Sequence, residues 1–287
     1  MPQANNNRTQ GFTLVELAVV MTIVVLLLGS LLYTLSAQSD QRNVDETRRR
    51  LDQARELLLS YAVVNGRLPC PARCANWPNC TTTAAETRDA AGNCTSGGTD
   101  DYYGGALAGG AMGGLLPALT IGAQNVEASG FAVDAWGNRI RYAVARDVAP
   151  VTCTTAPPGG TRLFTHKDNL KMYGVACQPG DLLVCKSATA ATATTCGGAA
   201  NQIMSTSLVV AIVFSTGKNG MTAPNGAGVD EATNVKTNAL LAPLINPVFV
   251  SHAPTDNRFA NGEFDDQMTW ITVGELYGKL IAAGVLP

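Results

Sequence analysis

At 287 residues, with 46% apolar and 15% charged side chains, the chain is long and greasy enough for one or two packed domains, which excludes a disordered polymer. Lys plus Arg number 20 against 22 Asp plus Glu, a formal net charge of -2 that excludes the broad basic footprint of a dedicated nucleic-acid binder. All 8 cysteines lie from Cys70 onward, downstream of an apolar segment, and an even count so placed points to disulfides formed in an oxidising compartment.

Residues 1–11 form a polar leader whose only charged side chain is Arg8. Residues 12–35 follow as an apolar run of 24 positions with one charge, Glu16. At about 1.5 Å per residue this predicts a helix about 36 Å long, enough to cross a hydrocarbon core of about 30 Å. No small-residue cleavage site follows the run, so it is not a secretory signal peptide, and a cut made before it leaves the helix attached. A carboxylate inside an apolar helix is costly, so Glu16 needs a partner or a purpose.

The sequence Gly11-Phe12-Thr13-Leu14-Val15-Glu16 resembles the type IV prepilin signal. The resemblance implies that a prepilin peptidase cuts between Gly11 and Phe12 and methylates the new Phe12 amine. It also implies that Glu16 neutralises the Phe amine of a neighbouring subunit during assembly. The partners implied are other pilin or pseudopilin subunits and the inner membrane, crossed once, with a periplasmic head that joins a filament after assembly. Where the major subunits carry a helix-bending Pro, this chain has Tyr33, with Gly29-Ser30 as a weak point nearby. That departure favours a minor or specialised subunit.

Residues 36–65 change to a mixed-charge helical pattern. Val44, Leu51, Leu58 and Tyr61, with Ala54, form one stripe, while Asp45 with Arg49 and Glu46 with Arg50 make acid-first i,i+4 pairs on an exposed face. Arg48-Arg49-Arg50, interleaved with acids, reads as a solvated face. The helix is expected to stop at Asn65-Gly66, so that residues 12–64 make a rod about 80 Å long.

Residues 66–287 read as the globular part. Asp134-Ala135-Trp136-Gly137-Asn138 is a turn feeding an alternating strand over 139–144, with Trp136 expected as a core anchor. Thr206–Phe214 reads as a central strand, Met268–Val273 as another, and Val273–Ala283 as a short helix. Asn65-Gly66-Arg67-Leu68-Pro69, Gly114-Leu115 and the Trp136 turn are similar, in order and wording, to the major pseudopilin of type II secretion. The expected class is α+β: a long N-terminal helix packed on an antiparallel sheet, the pilin lollipop, with cysteine-rich insertions over 72–113 and 145–205. Those insertions read as exposed, stapled loops, and the Gly-rich 104–114 stretch as flexible. The clusters Cys70, Cys74, Cys80, Cys94 and Cys153, Cys177, Cys185, Cys196 suggest bridges within each, with no pairing selected among the 105 that eight cysteines allow.

Little points to catalysis. The chain has two histidines, His166 and His252, no His-Glu-x-x-His, no Gly-x-Ser-x-Gly, and Asn219 after Gly217-Lys218 where a phosphate loop needs Ser or Thr. A four-thiolate zinc site is disfavoured by irregular spacing and by the oxidising compartment. Asp265-Asp266 is the best candidate for ion chemistry, because adjacent acids repel unless a cation or donors intervene. Related pseudopilins bind calcium near this end, and Ser215–Gly220 is similar to their Ser-x-Gly-x-x-Gly stretch. Asp230 or Glu263 are the candidates for further oxygens, while Lys218 places a positive charge in the loop. The expected function is a structural filament subunit, minor pilin or pseudopilin, and not an enzyme. The rivals are a filament-tip adhesin or DNA-binding minor pilin, and a plain membrane-anchored periplasmic domain.

Overall fold

A computed structural model describes residues 13–80, 82–90, 92–94, 106–107, 111–146, 162–220, 228–236 and 247–286, with backbone alone at 30–37, 106–107 and 111–112. The chain forms two compact units, residues 1–45 and 46–287. Helix α1 (Leu14–Asn65) supplies the described part of the first unit and opens the second. It runs without interruption through Gly29-Ser30 and Tyr33, and ends at Gly66, whose φ of +68° is left-handed and which therefore suits the stop.

In the second unit α1 buries Thr47, Leu51, Ala54, Leu58 and Ala62, together with Leu59. The i, i+4, i+7, i+11 spacing of the first four is one helical face. Ala62 and Thr47 belong to that face and the sequence stripe lacked them, because a small or polar residue carries no apolar signal of its own. Arg48 and Arg49 are exposed, but Arg50 is half-buried, bonding Glu46 (2.8 Å) and the carbonyls of Val133 (3.0 Å) and Asp134 (2.8 Å).

The remaining elements are β1 (Ala72–Cys74), β2 (Ala106–Leu107), β3 (Ala111–Leu115), α2 (Ala118–Ile121), β4 (Arg141–Val144), α3 (Lys167–Tyr173), β5 (Leu183–Cys185), β6 (Gln202–Met204), β7 (Val209–Ser215), α4 (Val229–Asn234), β8 (Val248–Val250), β9 (Gln267–Thr272) and α5 (Val273–Ala282). One antiparallel sheet has the order β1-β3-β4-β7-β9, with β2 also on β3. Its register pairs Tyr142 with Val213 and Phe214 with Met268. β7 is buried at every position, which is why it reads as an unbroken apolar run and not as an alternating one. Its side chains share one core with the α1 stripe and with Val273, Leu276, Tyr277 and Leu280 of α5, so the second unit is α+β with the helix on the sheet.

Three expectations are corrected. The insertions are not exposed loops: Cys74, Ala84, Leu163, Phe164, Leu182 and Val184 are buried at 1% exposure or less. The 145–205 insertion supplies two strands of a second, three-stranded sheet, β6-β5-β8, in which β5 and β8 run parallel, a pairing that short strands far apart in sequence do not announce. Within the Gly-rich stretch, residues 111–115 are strand β3, not flexible chain. And Trp136 is only half-buried, whereas Asp134 at 1% and Asn138 at 3% exposure are the buried members of its turn.

Glu86 ties one insertion to α1. Its carboxylate accepts from Tyr61 (2.7 Å), from Arg67 (2.8 and 3.0 Å), from Arg88 (3.0 Å) and from the Cys70 N–H (2.9 Å). Burial opposes its charge, yet these bonds win and bring Glu86 down to about 2, while burial and the Glu86 charge push Tyr61 up to about 12. Cystines join Cys70 to Cys94, Cys74 to Cys80 and Cys185 to Cys196. Cys177 is also disulfide-bonded. Cys153 lies outside the described residues.

Candidate functional site

In the first unit, Thr13 and Glu16 make a capping box. The Glu16 N–H donates to the Thr13 hydroxyl oxygen (3.3 Å), and the Glu16 carboxylate accepts from the Thr13 N–H (3.0 Å) and hydroxyl (2.9 Å). Thr-x-x-Glu is thus a helix start as well as part of the prepilin-like hexapeptide. Every described side chain from Thr13 to Gly29 is exposed, with Leu14 at 84% and Leu26 at 69%. An apolar helix exposed on all sides needs lipid or other helices around it. Gly11 and Phe12 lie outside the described residues, as do the side chains of 30–37, which include most of the C-terminal third of the 12–35 run. Among the described residues no helix is long and apolar enough to cross a membrane.

The second unit holds an acidic cluster. β7 ends at Ser215, and the chain turns back through Gly217, whose φ is +63°. The Asp134 turn braces this reversal: its carboxylate accepts from the N–H groups of Trp136 (2.9 Å) and Asn138 (2.8 Å) and from the Ser215 hydroxyl (2.5 Å), and Asn138 donates its side-chain N–H to the Gly217 carbonyl. Burial, only partly offset by those bonds, raises the Asp134 carboxyl above the ordinary range. The 215–220 turn then presents the N–H groups of Lys218 (2.9 Å) and Asn219 (3.2 Å) to Asp265 Oδ2.

Glu231, on α4, closes the cluster. It accepts from the Asp265 N–H (2.8 Å) and from the Asn219 side chain (3.1 Å to each oxygen), while Asp266 accepts from Asn234 (2.8 Å). Carboxylate oxygens of Glu231, Asp265 and Asp266 lie within 4.8 Å of one another. Burial, reinforced by the Glu231 charge, pushes Asp265 up to about 7. Burial likewise holds Asp266 well above its usual range, against the Asn234 bond and the Arg141 charge, with Glu231 and Asp265 adding to the rise.

The structure therefore brings Asp265 and Asp266 together with Glu231, and not with Asp230. Asp230 faces elsewhere, accepting from the Ala188 N–H (2.6 Å), from Asn261 (3.0 Å) and from His252 (3.2 Å). Glu263 is felt by Asp265 only as a nearby charge. Lys218 is exposed and meets Asp265 through its backbone N–H.

A protein-family profile described as the prokaryotic N-terminal methylation motif matches residues 6–32. This chain carries that motif. The methylation motif is characteristic of type IV pilins and pseudopilins, and it spans Gly11, Phe12 and Glu16. No curated protein and no solved structure matches the chain. The methylation motif ends before the second unit begins, so the acidic cluster stands on its own geometry.

Proposed function

We propose that the chain is a prepilin-like structural subunit, a minor pilin or pseudopilin, cut after Gly11, methylated at Phe12 and built into an inner-membrane-rooted filament through residues 12–35. The observation that carries this reading is the methylation motif at the head of a helix whose apolar side chains over residues 14–28 are all exposed. Before assembly lipid covers that surface; in the filament, equivalent helices do. The capping box supports a defined helix start at the position where the new amine would lie, with the Glu16 carboxylate held close to the chain end. Its work is assembly, not catalysis. Intact-mass measurement of protein purified from membranes tests the processing step: the expected chain begins at Phe12 with one added methyl group, and a chain retaining residues 1–11 overturns the reading.

The acidic cluster fits a calcium ion. Its donor set is all oxygen, three carboxylates already converge, and Asp265 Oδ1 is buried with no hydrogen-bond donor of its own. Glu231, Asp265 and Asp266 would hold the ion, and its charge would offset the burial and the mutual repulsion that raise both aspartates. The role is structural: it would lock the 215–220 turn to the strand that enters β9. Thermal denaturation with calcium in excess over its dissociation constant should rise by several degrees over the chelated protein, because a hundredfold excess contributes about 2.7 kcal/mol. Asp265→Asn should remove that response, and an equal response in the variant would displace calcium from this site.

A further inference from the structure

Among the described disulfides, Cys74–Cys80 alone has a cation recorded on its sulfurs. Arg139 Nη1 lies 2.8 Å from Cys80 Sγ and 4.0 Å from Cys74 Sγ. The guanidinium is fixed in place: it donates to the Pro78 carbonyl (2.9 Å), pairs with Glu127, and lies 4.9 Å from the Trp77 ring centre and 5.2 Å from that of Phe131. Cys80 is partly exposed, whereas Cys74, at the end of β1, is fully buried.

Of the other two fully described bridges, one differs in charge alone and the other in both respects. Cys70–Cys94 has a partly exposed residue in Cys94, but the charged group bonded at Cys70 is a carboxylate, since the Cys70 N–H donates to Glu86 (2.9 Å). Cys185 and Cys196 are both buried, at 0% and 2% exposure.

We propose that Cys74–Cys80 is a thiol–disulfide exchange site, attacked at the partly exposed Cys80 by an external dithiol whose thiolate is drawn in by the Arg139 guanidinium 2.8 Å from that sulfur. Exchange rates depend on access to the attacked sulfur and on the thiolate fraction of the attacking thiol, and a guanidinium beside the attacked sulfur favours the approaching thiolate. The incoming thiolate bonds to Cys80 Sγ, the S–S bond breaks, and its electron pair goes to Cys74 Sγ, which is then protonated. The second thiol of the reagent displaces Cys80 from the mixed disulfide. The dithiol ends oxidised and the protein pair ends as two thiols, with two electrons and two protons transferred. The loop is held independently of the bridge, since the Thr82 hydroxyl donates to the Arg73 carbonyl (2.5 Å) and accepts from the Ala75 N–H (3.2 Å). Opening the ring therefore frees Trp77 and its neighbours without unpinning β1.

The test is timed reduction of the full-length folded chain by limiting dithiothreitol, quenched with an alkylating agent and read by peptide mass spectrometry. Cys74 and Cys80 should be labelled first, roughly tenfold ahead of Cys70–Cys94 and Cys185–Cys196. Arg139→Gln should slow that labelling by about tenfold, and Glu127→Gln, which unmasks the guanidinium, should speed it while the other pairs stay unchanged. A merely structural Arg139 predicts the opposite sign, because its loss would loosen the loop and expose the sulfurs. Simultaneous labelling of all pairs, or Arg139→Gln labelling at an equal or greater rate, overturns the proposal.

Discussion

Glu16→Leu is expected to leave the subunit in the membrane fraction and to strip it from filaments. Leucine continues the apolar run, so on the proposed reading insertion would have nothing to lose and would gain the removal of an acid from the membrane. In an assembled bundle, however, the methylated Phe12 amine of a neighbour would be left in a low-dielectric interior without its counter-charge, and removing one partner of a buried pair is far more costly than removing both. Sheared filaments should contain on the order of a hundredfold less of the variant than of the parent chain at equal membrane levels. Glu16→Gln separates helix capping from charge, since an amide oxygen still accepts from the Thr13 N–H. If Gln assembles as poorly as Leu, charge is the cause; if Leu assembles normally, the pairing mechanism is wrong.

Gly217→Ala should be the most damaging small substitution in the second unit. Its φ of +63° is left-handed, and a Cβ there would run into the Asp265 carboxylate and come within 2.6 Å of the Asp265 carbonyl. Gly137 supplies the control, because it too is left-handed, at +87°, yet a Cβ there meets nothing within 4 Å. Gly137→Ala should therefore cost only the conformational penalty, about 1 kcal/mol, whereas Gly217→Ala adds a clash with backbone and should reach about 3 kcal/mol. For a domain of this size that is roughly 6–12 °C in melting temperature against 2–4 °C for the control. Gly217→Ala should also abolish the calcium response, since Asp265 has to move. Equal losses in the two variants would mean that Asp265 does not pack on the 215–220 turn.

The parts of the molecule legible in the linear chain are those whose signal is local. The hexapeptide Gly11–Glu16, the stop at Asn65-Gly66, the β-branched run that became β7 and the amphipathic 273–283 pattern each carry their message within a few residues, because propensity, capping and periodicity act over one or two turns. Asp265-Asp266 stood out for the same reason: two adjacent acids are a local anomaly. Their third partner did not. Asp230 and Glu231 are sequence neighbours, and successive helical residues point about 100° apart, so only the packing of α4 decides which one faces Asp265 and which one turns to Ala188 and His252.

The same reason governs the rest. The mixed sheet, the burial of the cysteine-bearing segments and the seat of Arg139 on Cys74–Cys80 join residues tens of positions apart through elements of three or four residues. Strands of three or four residues are too short for an alternating pattern to declare which face they bury. What the sequence by itself determined was a methylation motif leading into an apolar run; what only the tertiary structure decided was which distant charges meet, because coulombic and hydrogen-bond partnership depends on distance in space and not along the chain.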